Sequence, residues 1–193
     1  MVRGNEKQWE KILIDMKAVH DDAVSAKGDT MSNQKEKAKA LLGSQVLAVL
    51  CTQGETGPYA SLMAYCFHPE ENSVFMVTRK GTKKYRNISD FPRVALLVDD
   101  RCPLAGSPGE AIPALTIQGT VTVEAGENEH DIRKQLGSRL PSLQMLLEDP
   151  ESVLMRIVLD RFLLLEGPEK ALEGTFSRDD EETEAHHMRS RQI

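Results

Sequence analysis

The stretch from Val74 to Asp100, VFMVTRKGTKKYRNISDFPRVALLVDD, decides how the rest of the chain is read. It opens on an apolar, β-branched run (Val74, Phe75, Val77, Thr78) that predicts a strand. A basic turn follows, Arg79-Lys80-Gly81-Thr82-Lys83-Lys84, and then a short helical segment over residues 85–90. Phe91-Pro92 ends that helix, because proline disfavours a helical conformation in the residue before it. Residues 93–98 predict a second strand, buried on both faces by the run Val94, Ala95, Leu96, Leu97 and Val98. Strand, basic turn, short helix, strand is a plausible holder for an anion. Ammonium groups and two threonine hydroxyls stand at the mouth of a helix whose first N–H groups are free to point at a ligand. Each charge-assisted hydrogen bond to phosphate is worth roughly 1.5–3 kcal/mol, against the roughly 8 kcal/mol of a micromolar affinity. A solvated lysine-rich turn is the plainer explanation of a basic cluster taken alone.

Working outward, residues 5–27 predict a helix with one apolar stripe, Trp9, Ile12, Leu13, Met16 and Val19. A second helix, about residues 32–43, has a capping residue at its start and Gly43 at its end. Residues 45–53 and 58–67 predict two strands joined by Gly54-Glu55-Thr56-Gly57, a hairpin. Residues 99–111 are rich in Pro and Gly, a loop that is either a flap or an irregular connection. Residues 112–124 predict a strand alternating through Leu115, Ile117, Gly119 and Val121. Residues 128–147 predict helix broken by Pro141. Residues 152–166 fit strand or helix, and are taken as the strand that closes the sheet. Short turns between consecutive strands imply antiparallel pairing.

The whole is one unit with tails: an N-terminal helical extension packed on a barrel (1–43), the barrel (44–166) and a polar, flexible tail (167–193). With 193 residues the chain is long enough to bury a core. Its net charge of −6 disfavours nucleic acid and acidic membranes, so the basic turn suits one small anion better than a polyanion. Three widely spaced cysteines, a charged N-terminus and the lack of any apolar run of about 20 residues lead to the expectation of a cytoplasmic protein without disulfides or membrane spans. The five histidines lack zinc-ligand spacing with the cysteines, so no metal site is expected. Serine-hydrolase and P-loop motifs are absent from the sequence.

Pro58-Tyr59-Ala60-Ser61-Leu62, Val77-Thr78, Gly81-Thr82-Lys83-Lys84-Tyr85-Arg86-Asn87 and Pro92-Arg93-Val94-Ala95-Leu96-Leu97 together resemble the FMN-binding split-barrel family related to pyridoxamine 5'-phosphate oxidase. The resemblance covers about residues 40–166, and Thr-x-x-Gly-Thr-Lys-Lys is its most specific part. It implies a mainly β fold with helices: an antiparallel, Greek-key split β-barrel of about six strands, with N-terminal helices and a helical insertion before the last strand. It also implies FMN bound non-covalently at a homodimer interface, and oxidoreductase activity with a small electron donor or acceptor. By the same resemblance Thr78, Thr82, Lys83 and Lys84 grip the phosphate, with Val77 beside them. Ser61, Leu62 and Met63 run along the flavin, unless they are plain core strand, and Asn87 adds a hydrogen bond. Arg86 either helps the phosphate or pairs with an acidic neighbour. No catalytic side chain is singled out.

The chain departs from the oxidase proper at Ser61, where that enzyme has arginine, and near Ala114, where it has glutamine; both help hold FMN there, so the resemblance implies weaker FMN binding or a different flavin pose here. It also ends in an acidic tail, and its single tryptophan is Trp9. The expected substrate is therefore not pyridoxamine phosphate. The alternative is a non-catalytic binding protein that uses the same barrel for haem, FMN or another cofactor.

Overall fold

The computed structural model describes residues 31–100, 112–124, 128–167 and 169–176. The elements run α1 (Met31–Ser44), β1 (Leu47–Gly54), β2 (Gly57–Ala64), β3 (Cys66–His68), β4 (Ser73–Arg79), α2 (Lys83–Asp90), β5 (Arg93–Asp99), β6 (Pro113–Glu124), α3 (Glu129–Arg139), α4 (Gln144–Leu147), β7 (Ser152–Glu166) and β8 (Ala171–Thr175). Every strand pairing is antiparallel, in the order β2-β1-β5-β6-β7-β4-β3, with β8 also on β7. This is a mainly β fold with helices, a curled antiparallel half-barrel of the split-barrel kind.

The curl follows from the chain. β2 and β3 stand at opposite ends of the hydrogen-bonded path, yet a single residue, Tyr65, separates them. Its N–H donates to Val46 O at 3.1 Å, and its phenol donates to Leu42 O at 2.8 Å, so Tyr65 turns the strand from one end of the sheet to the other. Burial pushes that phenol well above its ordinary pKa. The break at Tyr65 divides the single strand expected over residues 58–67 into β2 and β3.

The inward faces carry the core: Ala48 and Leu50 of β1, Leu96 and Val98 of β5, Leu115 and Ile117 of β6, Met155 and Ile157 of β7. Ala38, Leu41 and Leu42 of α1 join them, closing one end of the barrel. A second cluster lies under the helical insertion, where Ile132, Leu136 and Leu147 meet Phe75, Val77 and Leu154. β5 is not buried on both faces as its composition predicts: Val94, Leu96 and Val98 face the core, while Ala95 and Leu97 are half-covered. Alternation is what an antiparallel strand with one face outward shows.

Gly119 is required. β6 and β7 slip register there, Gln118 opposing Arg161 and Gly119 opposing Leu159, which leaves Asp160 as the bulged residue. A Cβ on Gly119 would stand 2.6 Å from Val158 O. The carbonyl of Asp160 instead accepts from Phe176 N at 2.8 Å.

Two expectations are corrected here. The described residues hold eight strands, not about six. Residues 171–175, assigned to a polar tail, form β8, and Leu172 and Phe176 are buried in the main core. Phe176 packs on Phe162 at 5.2 Å, and Gly174 leaves room for the Phe162 ring. The polar composition of this stretch hides two apolar anchors that suffice for a short edge strand. The expected helix over residues 5–27, Cys102 with most of its loop, and residues 177–193 lie outside the described residues. Cys51 and Cys66 are free thiols, half-buried and buried, and burial pushes the Cys66 thiol up to about 11. No helix among the described residues is long and apolar enough to cross a membrane.

Candidate functional site

The basic turn closes on itself through Thr82, the N-cap of α2. Its hydroxyl donates to Arg79 O at 2.8 Å and accepts from Tyr85 N at 3.4 Å. Thr78 Oγ1 lies 3.2 Å from the same oxygen. Thr82 has one proton and has given it to Arg79 O, so Thr78 is the donor in this pair. The Thr78 hydroxyl is therefore the mobile one: it can turn its proton to a ligand without undoing the helix cap. The N–H groups of Lys83 and Lys84, in the first turn of α2, have no acceptor within the helix. Positive partial charge collects at this end of α2.

The turn borders a groove of about 280 Å3 lined by Leu62, Met63, Ala64, Val77, Thr78, Arg79, Thr82, Lys84, Leu143 and Leu146. Topology explains where it lies. β3 covers β4 only at Ser73–Phe75, so among the described residues no strand pairs with β4 beyond Phe75 on that side. β2, the other end of the path, stands across the gap. The groove is the split in the barrel, polar and cationic at the head of α2 and apolar along β2 and the helical insertion.

Six of the nine sequence-predicted residues meet here: Leu62, Met63, Val77, Thr78, Thr82 and Lys84. Three do not. Lys83 turns to the other side of α2, its ammonium 4.9 Å from the centre of the Tyr59 ring. Ser61 opposes buried Leu50, and its hydroxyl is buried with no hydrogen-bond partner among the described residues. Asn87 is buried, donates to Thr52 Oγ1 at 3.0 Å and fills the space in front of Gly54. It latches α2 to β1. Arg86 donates to Gly81 O at 2.8 Å and braces the basic turn, rather than pairing with an acidic neighbour among the described residues.

Sequence reasoning missed Ala64, Arg79, Leu143 and Leu146 as groove residues. The leucines follow Pro141 at helical spacing, but nothing in their spacing says that the insertion folds back on β4. Arg79 was in plain view inside the basic turn; its pairing with Asp149, 2.6 Å away and 70 positions on, was not. Asp149 holds its carboxyl below the ordinary range because Glu151 N donates to it and the Arg79 guanidinium stands beside it. Among the described residues no group of three or more His, Cys, Asp or Glu is placed to hold a metal ion.

The family model of pyridoxamine 5'-phosphate oxidase matches residues 34–163 of this sequence. The chain belongs to that family. Structural relatives agree on the fold. A haem-binding protein from Mycobacterium smegmatis is 17% identical over 77% of this chain and 59% of its own, with a TM-score of 0.66. An FAD-binding protein from Mesorhizobium loti is 17% identical over 66% and 90%, with a TM-score of 0.52. General Stress Protein 26 from Bacillus anthracis is 21% identical over 72% and 97%, with a TM-score of 0.53. At such identities the likeness speaks for the barrel alone. No curated protein sequence matches this chain.

Proposed function

We propose that the groove binds FMN and that the protein is a flavoprotein oxidoreductase acting on a small donor or acceptor other than pyridoxamine phosphate. One observation carries the reading: Thr78, Thr82, Lys84 and the free N–H groups of α2 share a groove with the apolar side chains of Leu62, Met63, Val77, Leu143 and Leu146. FMN needs such a division, an anion anchor at one end and an apolar bed for the ring. Bound flavin would supply the hydride and electron transfer, while the protein binds, orients and shields it. Lys84 and the Thr78 hydroxyl would hold the phosphate. Leu62 and Met63 would lie along the ring, near main-chain groups of the unpaired strand edges.

The groove is smaller than the roughly 300–1,000 Å3 usual for ligand sites, which supports a homodimer in which a second copy completes the wall. Ser61 is too short and its hydroxyl too buried to serve as the arginine it replaces, so the flavin would be held more weakly, or posed differently, than in the oxidase. A haem protein on the same barrel is the competing reading. Among the described residues, the side chains lining the groove offer one sulfur, Met63, and no imidazole or thiolate, a poor set of axial ligands.

The test is the absorption spectrum of the purified protein, with chromatography of what heating releases. Flavin bands and released FMN are expected, and so is a loss of FMN affinity of about tenfold or more in the Lys83→Ala, Lys84→Ala double variant. A Soret band would favour haem. A colourless protein that also takes up no added FMN would sink the proposal.

A further inference from the structure

We infer that Arg79, oriented by Asp149, is a second cationic anchor of the groove, one that selects a ligand ending in a phosphomonoester over its uncharged counterpart. This rests on the groove's being a flavin site. Arg79 lines the groove between Thr78 and Thr82, yet it lies at a variable position of the Thr-x-x-Gly-Thr-Lys-Lys segment. Three contacts fix it. Its carbonyl accepts from Thr82 N at 3.2 Å and from Thr82 Oγ1 at 2.8 Å, so its backbone forms part of the phosphate turn. Its Nε meets Asp149 Oδ2 at 2.6 Å, and its side chain stays 57% exposed.

Asp149 is itself held. One of its oxygens accepts from Glu151 N at 2.8 Å, and its side chain is only 19% exposed. Lys80 N also donates to Glu151 O at 3.1 Å, so the turn before β7 grips the basic turn at two successive residues. The carboxylate takes the Nε edge of the guanidinium. The two terminal amino groups have no other partner among the described residues, and they form a planar fork suited to two phosphate oxygens. Lys84 brings a single point charge, and a phosphomonoester carries close to two. Lys83, which would have supplied the second charge, is engaged with Tyr59. Arg79 is the cation left at the groove to do so.

Asp149 is then a positioning residue and not a competing anion. The experiment measures dissociation constants for FMN and for riboflavin in the full chain and in Arg79→Ala, Arg79→Lys and Asp149→Asn. For Arg79→Ala, FMN affinity should fall about tenfold or more with riboflavin affinity unchanged, since a charge-assisted contact is lost on one ligand alone. Arg79→Lys should recover part of the loss. Asp149→Asn should weaken FMN several-fold, again sparing riboflavin. Equal losses for both ligands would mean a structural role for the pair and would overturn the inference. So would unchanged FMN affinity in Arg79→Ala, or tighter FMN in Asp149→Asn, which would make Asp149 a repelling charge. Failure of the unsubstituted protein to bind either flavin would instead remove the functional reading beneath it.

Discussion

Asn87 stands one turn into α2, three residues after Lys84, and the sequence places it beside the phosphate-gripping lysines. The helix places it elsewhere. Residues 83 and 87, four apart, stack on one side of α2, while the adjacent Lys83 and Lys84 point about 100° apart around the helix. The face of Lys83 and Asn87 turns to β1 and Tyr59, and that of Lys84 to the groove. Asn87→Ala should therefore act on stability. It leaves the buried Thr52 hydroxyl without a donor and opens space in front of Gly54, a change of about 1–3 kcal/mol. Urea unfolding should show the loss, with FMN affinity of the folded protein changed less than threefold. A selective fall in FMN affinity at full stability would return Asn87 to the cofactor.

At the scale of elements, much was legible from periodicity. The alternation through Leu115, Ile117, Gly119 and Val121 gave β6, Pro141 gave the broken insertion, and Phe91-Pro92 gave the end of α2, because each is a local signal. Less legible were features set by distant contacts: β8, held by Phe162 and Phe176, and the ties between elements made by single charges. Glu166, at the end of β7, meets Lys170 at 2.7 Å and Lys37 of α1 at 3.5 Å, and Asp149 joins the insertion to β4 through Arg79. The hydrogen bond from Lys170, with both lysine charges, holds the Glu166 carboxyl below its ordinary range, as Glu151 N and Arg79 hold that of Asp149. A carboxyl with a lower pKa folded than unfolded stabilises the fold above its unfolded pKa, roughly 4, and loses that contribution as pH falls through the folded value. The urea midpoint should therefore drop between about pH 5 and pH 2, and drop less in the Glu166→Gln, Asp149→Asn double variant. Parallel curves for the two proteins would show that these ion pairs do not link folding to pH.

For the whole molecule, the outward face of the sheet is the feature left without a partner layer among the described residues. Leu62, Val49, Leu97, Thr116 and Leu163 lie in one row across β2, β1, β5, β6 and β7, with Leu47, Ala114 and Leu165 in the next. Leu62 is 65% exposed, Leu47 43% and Leu165 38%, a largely apolar field, broken by Thr116 in the first row and by Asp99 in the second, where an antiparallel sheet facing water would carry mostly polar side chains. Leu62 belongs both to this field and to the groove, so whatever covers the field also reaches the groove. A second copy related by a two-fold axis meets both needs, since such an interface pairs a patch with itself. Leu165→Lys, which changes the field far from the basic turn, should convert a dimer to a monomer in sedimentation velocity. It should also weaken FMN about tenfold or more at protein concentrations where the unsubstituted chain is dimeric. A monomeric unsubstituted protein that binds FMN tightly would show that one barrel alone holds the flavin, and a dimer that survives Leu165→Lys would place the interface on another face.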